Sequence, residues 1–304
     1  MILPLPNTTT SEINAELVRI RAEGGVVTLG RVMTLVVDAT CCDAESAISA
    51  ANHASREHPC RVVVLAKSDA TEPRLDAEVR VGGDAGASEV IVLRPSGDMT
   101  QHGDTLIIPL LLPDAPIVAW WPGGTVSAPA LTALGAMATR RITDVRGGED
   151  VRASLLELAD GYAPGDTDLA WARTTRWRAL LAAALDRPGS PVVTRVRIHG
   201  DTGSPSVLLL GAWLRLMLGC EFEDSYSDEA KGLVSVLLDT PDGQISIVRP
   251  DGHDATFSQP GLPDHVVALP QRTLQDCLAE DLRRLDADEV YGETLIALAG
   301  ALRS

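Results

Sequence analysis

Hydrophobic positions along this chain switch between two periods, and each switch marks an element. From Ser11 to Glu23, Ile13, Leu17 and Ile20 recur on one helical face and Gly24-Gly25 follows as a stop, which predicts an amphipathic helix. Val32 to Val37 is instead a continuous β-branched run, as in a strand buried on both faces. Asp43 stands where it can cap an Ala-rich helix running to about Arg56, and Cys60 to Ala66 returns as a second such strand. Strand, helix and strand of these lengths make a βαβ unit and therefore a parallel sheet. The pattern predicts further strands at Ala77–Val81, Glu89–Leu93, Ile117–Trp121 and Arg141–Val145. A short helix is expected in the proline-bounded segment Thr105–Pro116, and another at Ala130–Ala138.

Gly147-Gly148 interrupts this pattern and Gly161 to Asp168 interrupts it again, so we place a domain boundary near Ala163, between an N-terminal domain of residues 1–162 and a C-terminal domain of residues 163–304. The second half opens on a helix from Asp168 to Leu185, capped by Asp166 or Thr167, with Trp177, Leu181 and Ala184 on one face. A strand at Val192–Ile198 and a strongly apolar helix at Pro205–Leu218 follow. Leu233–Leu238 and Gln244–Val248 alternate around Thr240-Pro241-Asp242-Gly243, a hairpin signature, and another strand lies near His265–Leu269. Two apolar stripes close the chain: Leu274, Cys277, Leu278, Leu282 and Leu285, then Tyr291, Leu295, Leu298 and Ala299. The expected fold class is α/β in two domains, the first a mostly parallel sheet with flanking helices, the second a mixed sheet with a hairpin and C-terminal helices.

Composition narrows the function classes. The 304 residues are 45% hydrophobic but only 3% aromatic, enough for two cores built from Ala, Val and Leu. A net charge of −16 repels phosphate backbones and anionic lipid, so neither nucleic acid nor a membrane surface is an expected partner. The longest apolar runs, Leu106–Leu112 and Val207–Leu214, fall short of the ~20 residues that span a bilayer, and the first residues carry no basic segment leading into an apolar one. A soluble protein of the cytoplasm is expected. Cys41, Cys42, Cys60, Cys220 and Cys277 form no CxxC pair, which argues against structural zinc and a disulfide framework. The adjacent Cys41 and Cys42 read as packing thiols, with a redox-sensitive thiol as the rival reading.

The familiar catalytic signatures are missing. No dinucleotide or P-loop glycine motif, no GxSxG elbow and no HExxH pattern occurs, and Gly82–Gly86 reads as a turn. Asp98, His102 and Asp104, and likewise Asp251, His253 and Asp254, are polar groupings that could hold a metal or an acid–base pair, but both read as solvated loops. His199-Gly200-Asp201 after a strand lacks a completing partner. No cofactor, metal or catalytic residue is expected.

Two aromatic stretches remain. Strand alternation puts Trp120 and Trp121 on opposite faces, so one is core and the other is either core or an exposed anchor. Between Asp168 and Arg178, Arg173 and Arg176 are helical neighbours, and Trp171 and Trp177 lie close by. Two readings stay open: solvated arginines beside buried tryptophans, or an arginine pair that holds a carboxylate or phosphate of a ligand or partner.

Three segments carry a resemblance: LIIPLLLPDAPIVAWWPG (Leu106–Gly123), DLAWARTTRWRALLAAALD (Asp168–Asp186) and CLAEDLRRLDADEVYGETL (Cys277–Leu295). In order, spacing and overall length the chain resembles the glucose-6-phosphate dehydrogenase assembly protein family, the OpcA proteins. The resemblance implies a protein without a reaction of its own that binds glucose-6-phosphate dehydrogenase, promotes its active oligomer or activates it allosterically, and so serves the NADP-reducing first step of the oxidative pentose phosphate pathway. Trp121, Trp171, Arg173 and Arg176 are the expected contact residues, and a homo-oligomer stays open. The rival expectation is an α/β enzyme or sensor whose cleft binds a sugar phosphate or nucleotide through Arg173 and Arg176.

Overall fold

A computed structural model describes the chain except for residues 25–29, 41, 69, 82–88, 124–125, 146–149, 187–191 and 304. Cys41, the Gly82–Gly86 turn and the Gly147-Gly148 break therefore lie outside the described residues. Two compact units form. Unit 1 comprises Met1–Asp144, Gly161–Thr167 and Leu274–Asp288; unit 2 comprises Val145–Asp160, Asp168–Thr273 and Glu289–Ser304. The fold is α/β, as the periodicity predicts.

Unit 1 is built on strands β1 (Ile2–Leu5), β2 (Met33–Thr40), β3 (Cys60–Lys67), β4 (Arg74–Arg80), β5 (Glu89–Ser96), β6 (Ile117–Trp121), β7 (Arg140–Thr143) and β8 (Asp166–Asp168), in the sheet order β1-β4-β5-β3-β2-β6-β7-β8. From β5 through β3, β2 and β6 to β7 the neighbours pair in parallel, whereas β4 joins β5 and β1 joins β4 antiparallel. Burial follows that topology. β2, β3 and β5 are buried almost throughout, while Leu75, Ala77 and Val79 of β4 alternate inward from half-exposed neighbours. Ile13, Leu17 and Ile20 of helix α1 (Thr10–Gly24) enter one core cluster with Val36, Val63, Ile91 and Trp121.

Helix α2 (Ala44–Ala54) follows Asp43, whose side chain makes no cap; its carboxylate instead accepts from the Thr40 hydroxyl at 2.7 Å. Pro109 follows α3 (Gly103–Ile107) in a single 3-10 turn, and α4 (Ala133–Met137) starts at a Thr132 cap that accepts from the Gly135 N–H. Helix α9 (Leu274–Asp281) packs on α2 although Leu274 lies 220 positions beyond Ala54 in the chain. There Arg140 of β7 donates to both oxygens of Asp281 at 3.1 and 2.8 Å and to the Asp286 carbonyl at 2.7 Å, all within this unit.

Unit 2 carries helices α5 (Val151–Asp160), α6 (Leu169–Ala172), α7 (Thr175–Leu185), α8 (Pro205–Leu218) and α10 (Glu289–Arg303) with strands β9 (Arg195–Asp201), β10 (Glu221–Ser227), β11 (Leu233–Thr240), β12 (Gly243–Val248), β13 (Asp254–Ser258) and β14 (His265–Ala268). Its sheet runs β10-β9-β11-β12-β13-β14. Only β9 and β10 pair in parallel, and α8 makes the crossover they require; the other neighbours are antiparallel. The β11–β12 hairpin closes at Thr240 and Gly243, with Gly243 at φ +131°, a region that only glycine enters without strain. Trp177, Leu181, Val196, Ile198, Leu210, Val236 and Ile247 share the core. No helix among the described residues is long and apolar enough to cross a membrane.

Candidate anion-binding site

The segment from Asp168 to Arg178 departs from its sequence expectation in two ways. Asp168 caps the first turn, rather than Asp166 or Thr167: its Oδ1 accepts from the Ala170 N–H at 2.7 Å and its Oδ2 from the Val145 N–H at 2.9 Å. The expected single helix also breaks into α6 and α7. The Thr174 hydroxyl turns back to donate to the Trp171 carbonyl at 2.7 Å, the local competition with helical bonding typical of threonine.

The break sorts the side chains. The Trp171 ring lies 6.1 Å from that of Tyr291 and under Arg178, whose guanidinium is pinned by the Thr174 and Thr175 hydroxyls at 3.0 and 3.1 Å. Arg173, Arg176 and Trp177 line a hollow of about 70 Å³. Ser204 and Ser206 at the start of α8, Gly232 and Leu233 at the start of β11, Arg249 just past β12, and Leu269 to Arg272 past β14 complete its wall.

Among the described residues that line it, four are arginines and none is Asp or Glu. Arg249 is 4% exposed, and donates to the Leu269 and Leu233 carbonyls at 2.8 and 2.7 Å. Its guanidinium carbon stands 5.2 Å from the Trp177 ring centroid, and its Nε has no hydrogen-bond partner. Burial pushes this guanidinium below the ordinary arginine value, with the Asp251 charge opposing. An arginine so displaced still keeps its proton at neutral pH. Arg272 donates to the Ala172 carbonyl at 3.0 Å and so ties the fourth cation to α6. Gly232 sits at φ +66°, and a Cβ there would meet the Gln271 amide nitrogen at 3.2 Å, so the backbone approaches the cluster closely. Guanidinium groups lining a hollow can hold a small anion, because each planar fork can give parallel hydrogen bonds to two oxygens.

Of the four residues expected at a contact surface, Arg173 and Arg176 meet in this hollow, Arg176 exposed and Arg173 half-buried. Trp121, 3% exposed in the core of unit 1, and Trp171, 2% exposed in unit 2, present almost no surface of their own. Their burial has a simple cause: β6 ends inside the sheet, and α6 is roofed by Arg178 and Tyr291. Arg249 and Arg272, 73 and 96 residues beyond Arg176, had no short-range signal. Among the described residues no group of three His, Cys, Asp or Glu could hold a metal ion. The Asp251 carboxylate accepts from the His253 and Asp254 N–H groups at 2.9 and 3.2 Å, and His199 Nδ1 lies 3.0 Å from the Ser225 hydroxyl.

Two family models match in succession: the N-terminal domain of a glucose-6-phosphate dehydrogenase subunit over residues 51–160, and the C-terminal domain of the same kind of subunit over residues 164–295. No curated protein matches the sequence. Among solved structures, an oxidoreductase from Sinorhizobium meliloti is similar at 11% identity and a TM-score of 0.43, over 89% of this chain and 88% of that one. A glucose-6-phosphate dehydrogenase in complex with its substrate glucose-6-phosphate is similar at 8% identity and a TM-score of 0.37, over 88% and 90%. Likenesses this low bear on neither ligand nor reaction. The two family matches together span most of the chain, which belongs to the OpcA family of glucose-6-phosphate dehydrogenase subunits.

Proposed function

We propose that this chain is a non-catalytic partner of glucose-6-phosphate dehydrogenase that promotes the enzyme's active oligomer, activates it allosterically, or both. The observation that carries the reading is the succession of the two family domains over residues 51–160 and 164–295. Such a partner works only if it binds the active form of the enzyme better than the inactive or dissociated one; a difference of about 1–3 kcal/mol changes apparent substrate affinity about 5- to 150-fold. In a chain of net charge −16, the surface around Arg173 and Arg176 is the place for an acidic patch of the enzyme to dock. Trp171 and Trp121 serve from inside their units, Trp171 by holding the turn that presents the arginines.

The test is the steady-state rate of the cognate dehydrogenase against glucose 6-phosphate, with and without this protein, at fixed NADP. A lower apparent substrate constant or a higher turnover is expected, together with co-elution of the two proteins. Unchanged kinetics without co-elution would overturn the reading. Adding the protein to enzyme that is already assembled separates activation from assembly, because a pure assembly factor then has no effect.

A further inference from the structure

We propose that the open edge of strand β10, together with the largely apolar hollow beside it, is a docking site for an extended segment of a partner protein, which adds to the six-stranded sheet as a seventh strand. The segment it fits carries apolar residues at alternate positions and lysine or arginine between them. Every residue involved belongs to unit 2, and none lines the arginine hollow except Leu233, Arg249 and their neighbours farther along the same sheet, which the added strand does not touch.

Strand β10 pairs with β9 in parallel and ends the sheet, and among the described residues no strand pairs with its far side. Successive residues of a strand turn their N–H and C=O groups to opposite edges, so about half of Glu221–Ser227 presents both groups away from β9. An unpaired row of this kind is a template for another chain.

The hollow runs along that edge. Phe222, Asp224 and Tyr226, alternate residues on one face of β10, all line it, a stretch of about 13 Å at strand spacing. Across from them α8 contributes Leu208, Ala212 and Leu216 from successive turns, and α10 contributes Leu298 and Leu302. Helix α10 packs on α8 and α5, so apolar side chains of the helix layer stand beside the last strand, where the sheet has no further strand to cover them. Leu216 is 42% exposed there. Arg215, stacked 4.7 Å over the Phe222 ring, and the Tyr226 hydroxyl, which donates to Asp224 at 2.6 Å, add polar groups along its length. An added strand turns alternate side chains into such a hollow, so that main-chain bonds supply affinity and the hollow supplies selectivity.

Charge selects the occupant. On the other face of β10 the side chains of Glu221 and Glu223 are 71% and 57% exposed, with Arg195 at 2.9 and 3.7 Å from them. Opposite charges set side by side across strands attract, and like charges repel. A segment with basic residues between apolar ones therefore matches both faces of β10 at once. The same strand of a second copy does not, because it sets carboxylates against carboxylates.

The probe is a fluorescein-labelled peptide of alternating lysine and valine, six residues long, followed by fluorescence anisotropy with the full chain and by amide hydrogen exchange of the mixture. A peptide of alternating glutamate and valine is the control. Saturable binding and slowed exchange at β10 amides are expected with the lysine peptide, and binding about tenfold weaker or less with the glutamate peptide. Glu223→Lys changes an exposed side chain, is expected to fold normally, and should weaken the lysine peptide about threefold or more. Glu72→Lys, an exposed position of unit 1, should leave binding unchanged. The proposal is overturned by no saturable binding up to about 1 mM, by equal binding of the two peptides, by unchanged exchange at β10, or by equal effects of Glu72→Lys and Glu223→Lys.

Discussion

The guanidinium carbon of Arg178 stands 3.6 Å from the centroid of the Trp171 ring, one helical break away in the sequence. Two threonine hydroxyls hold it there, so the contact is fixed before any partner arrives. Arg178→Ala should cost about 0.5–2 kcal/mol in urea unfolding, the range of a cation–π contact from exposed to desolvated. Arg178→Lys should recover part of that, because a lysine keeps the charge but cannot bond both hydroxyls from one planar fork. Equal stability of all three proteins would show that Trp171 is held by the core alone.

Arg140 and Asp281 form a buried pair within unit 1, and removing one partner strands the other's charge. Asp281→Ala should therefore destabilise by about 3–5 kcal/mol, whereas Arg140→Met combined with Asp281→Leu should regain most of the loss. Chemical denaturation of the three variants measures this directly. By the same argument a fragment of residues 1–162 lacks α9 and Asp281, and should show less protection of β7 amides in hydrogen exchange than the whole chain.

Helix α1 should fray in acid. The Glu12 carboxylate accepts from the Thr9 N–H at 2.8 Å and from the Thr8 and Thr9 hydroxyls, while the Glu12 N–H donates to Thr9 Oγ1 at 3.3 Å, a reciprocal cap. The Thr9 N–H bond, then the two hydroxyls, hold this carboxyl below its ordinary value of 4.5. A depressed native value means that the unfolded state binds the proton more readily, so the contribution is complete above about pH 4.5 and is lost as pH falls through the native value. Amide exchange across residues 10–16 should rise over that interval in the wild type. In Glu12→Gln the same amides should lose this dependence.

Two glycines with similar backbone angles should respond differently to alanine. Gly219 ends α8 at φ +60° with nothing within 4 Å of the place an added methyl would take, so Gly219→Ala should cost only the left-handed backbone penalty of about 1–2 kcal/mol. Gly97 has φ +56°, but its Cβ would come within 2.7 Å of the Pro73 nitrogen and the Thr71 oxygen, which are backbone atoms. Gly97→Ala should lower the Tm clearly further than Gly219→Ala. Similar shifts would mean that the Thr71–Pro73 loop yields at little cost.

Elements whose signals are local were legible in the sequence. Helix α8 runs from Pro205 to Leu218 as its pattern predicts, because a proline at its first turn and a left-handed glycine after its last fix both ends. Strands β2 and β3 announce themselves by unbroken apolar runs. Strand β10 does not: it is an edge strand whose Glu221, Glu223 and Asp224 face outward, so its sequence reads as loop. Helix α5 was hidden between two glycine-rich interruptions that read as a boundary. For the site, the i, i+3 spacing exposes Arg173 and Arg176. Arg249 and Arg272 join them only through the tertiary path of β11, β12 and β14. Trp171 and Trp121, both buried, carry the opposite ambiguity, since an aromatic suits a core or an anchor equally well until its neighbours are known.

The interleaving of the two units makes completeness of the chain a condition for finishing the first. At about 5–20 residues per second, the 141 residues between Arg140 and Asp281 occupy a ribosome for about 7–28 s after the β7 arginine has been made. During that interval the α2 surface that α9 covers stands open, a natural seat for a chaperone that holds nascent chains. A product that stops before Leu274 lacks the helix that covers this surface of α2, and leaves the apolar face of α2 and the Arg140 guanidinium without the partners that complete unit 1.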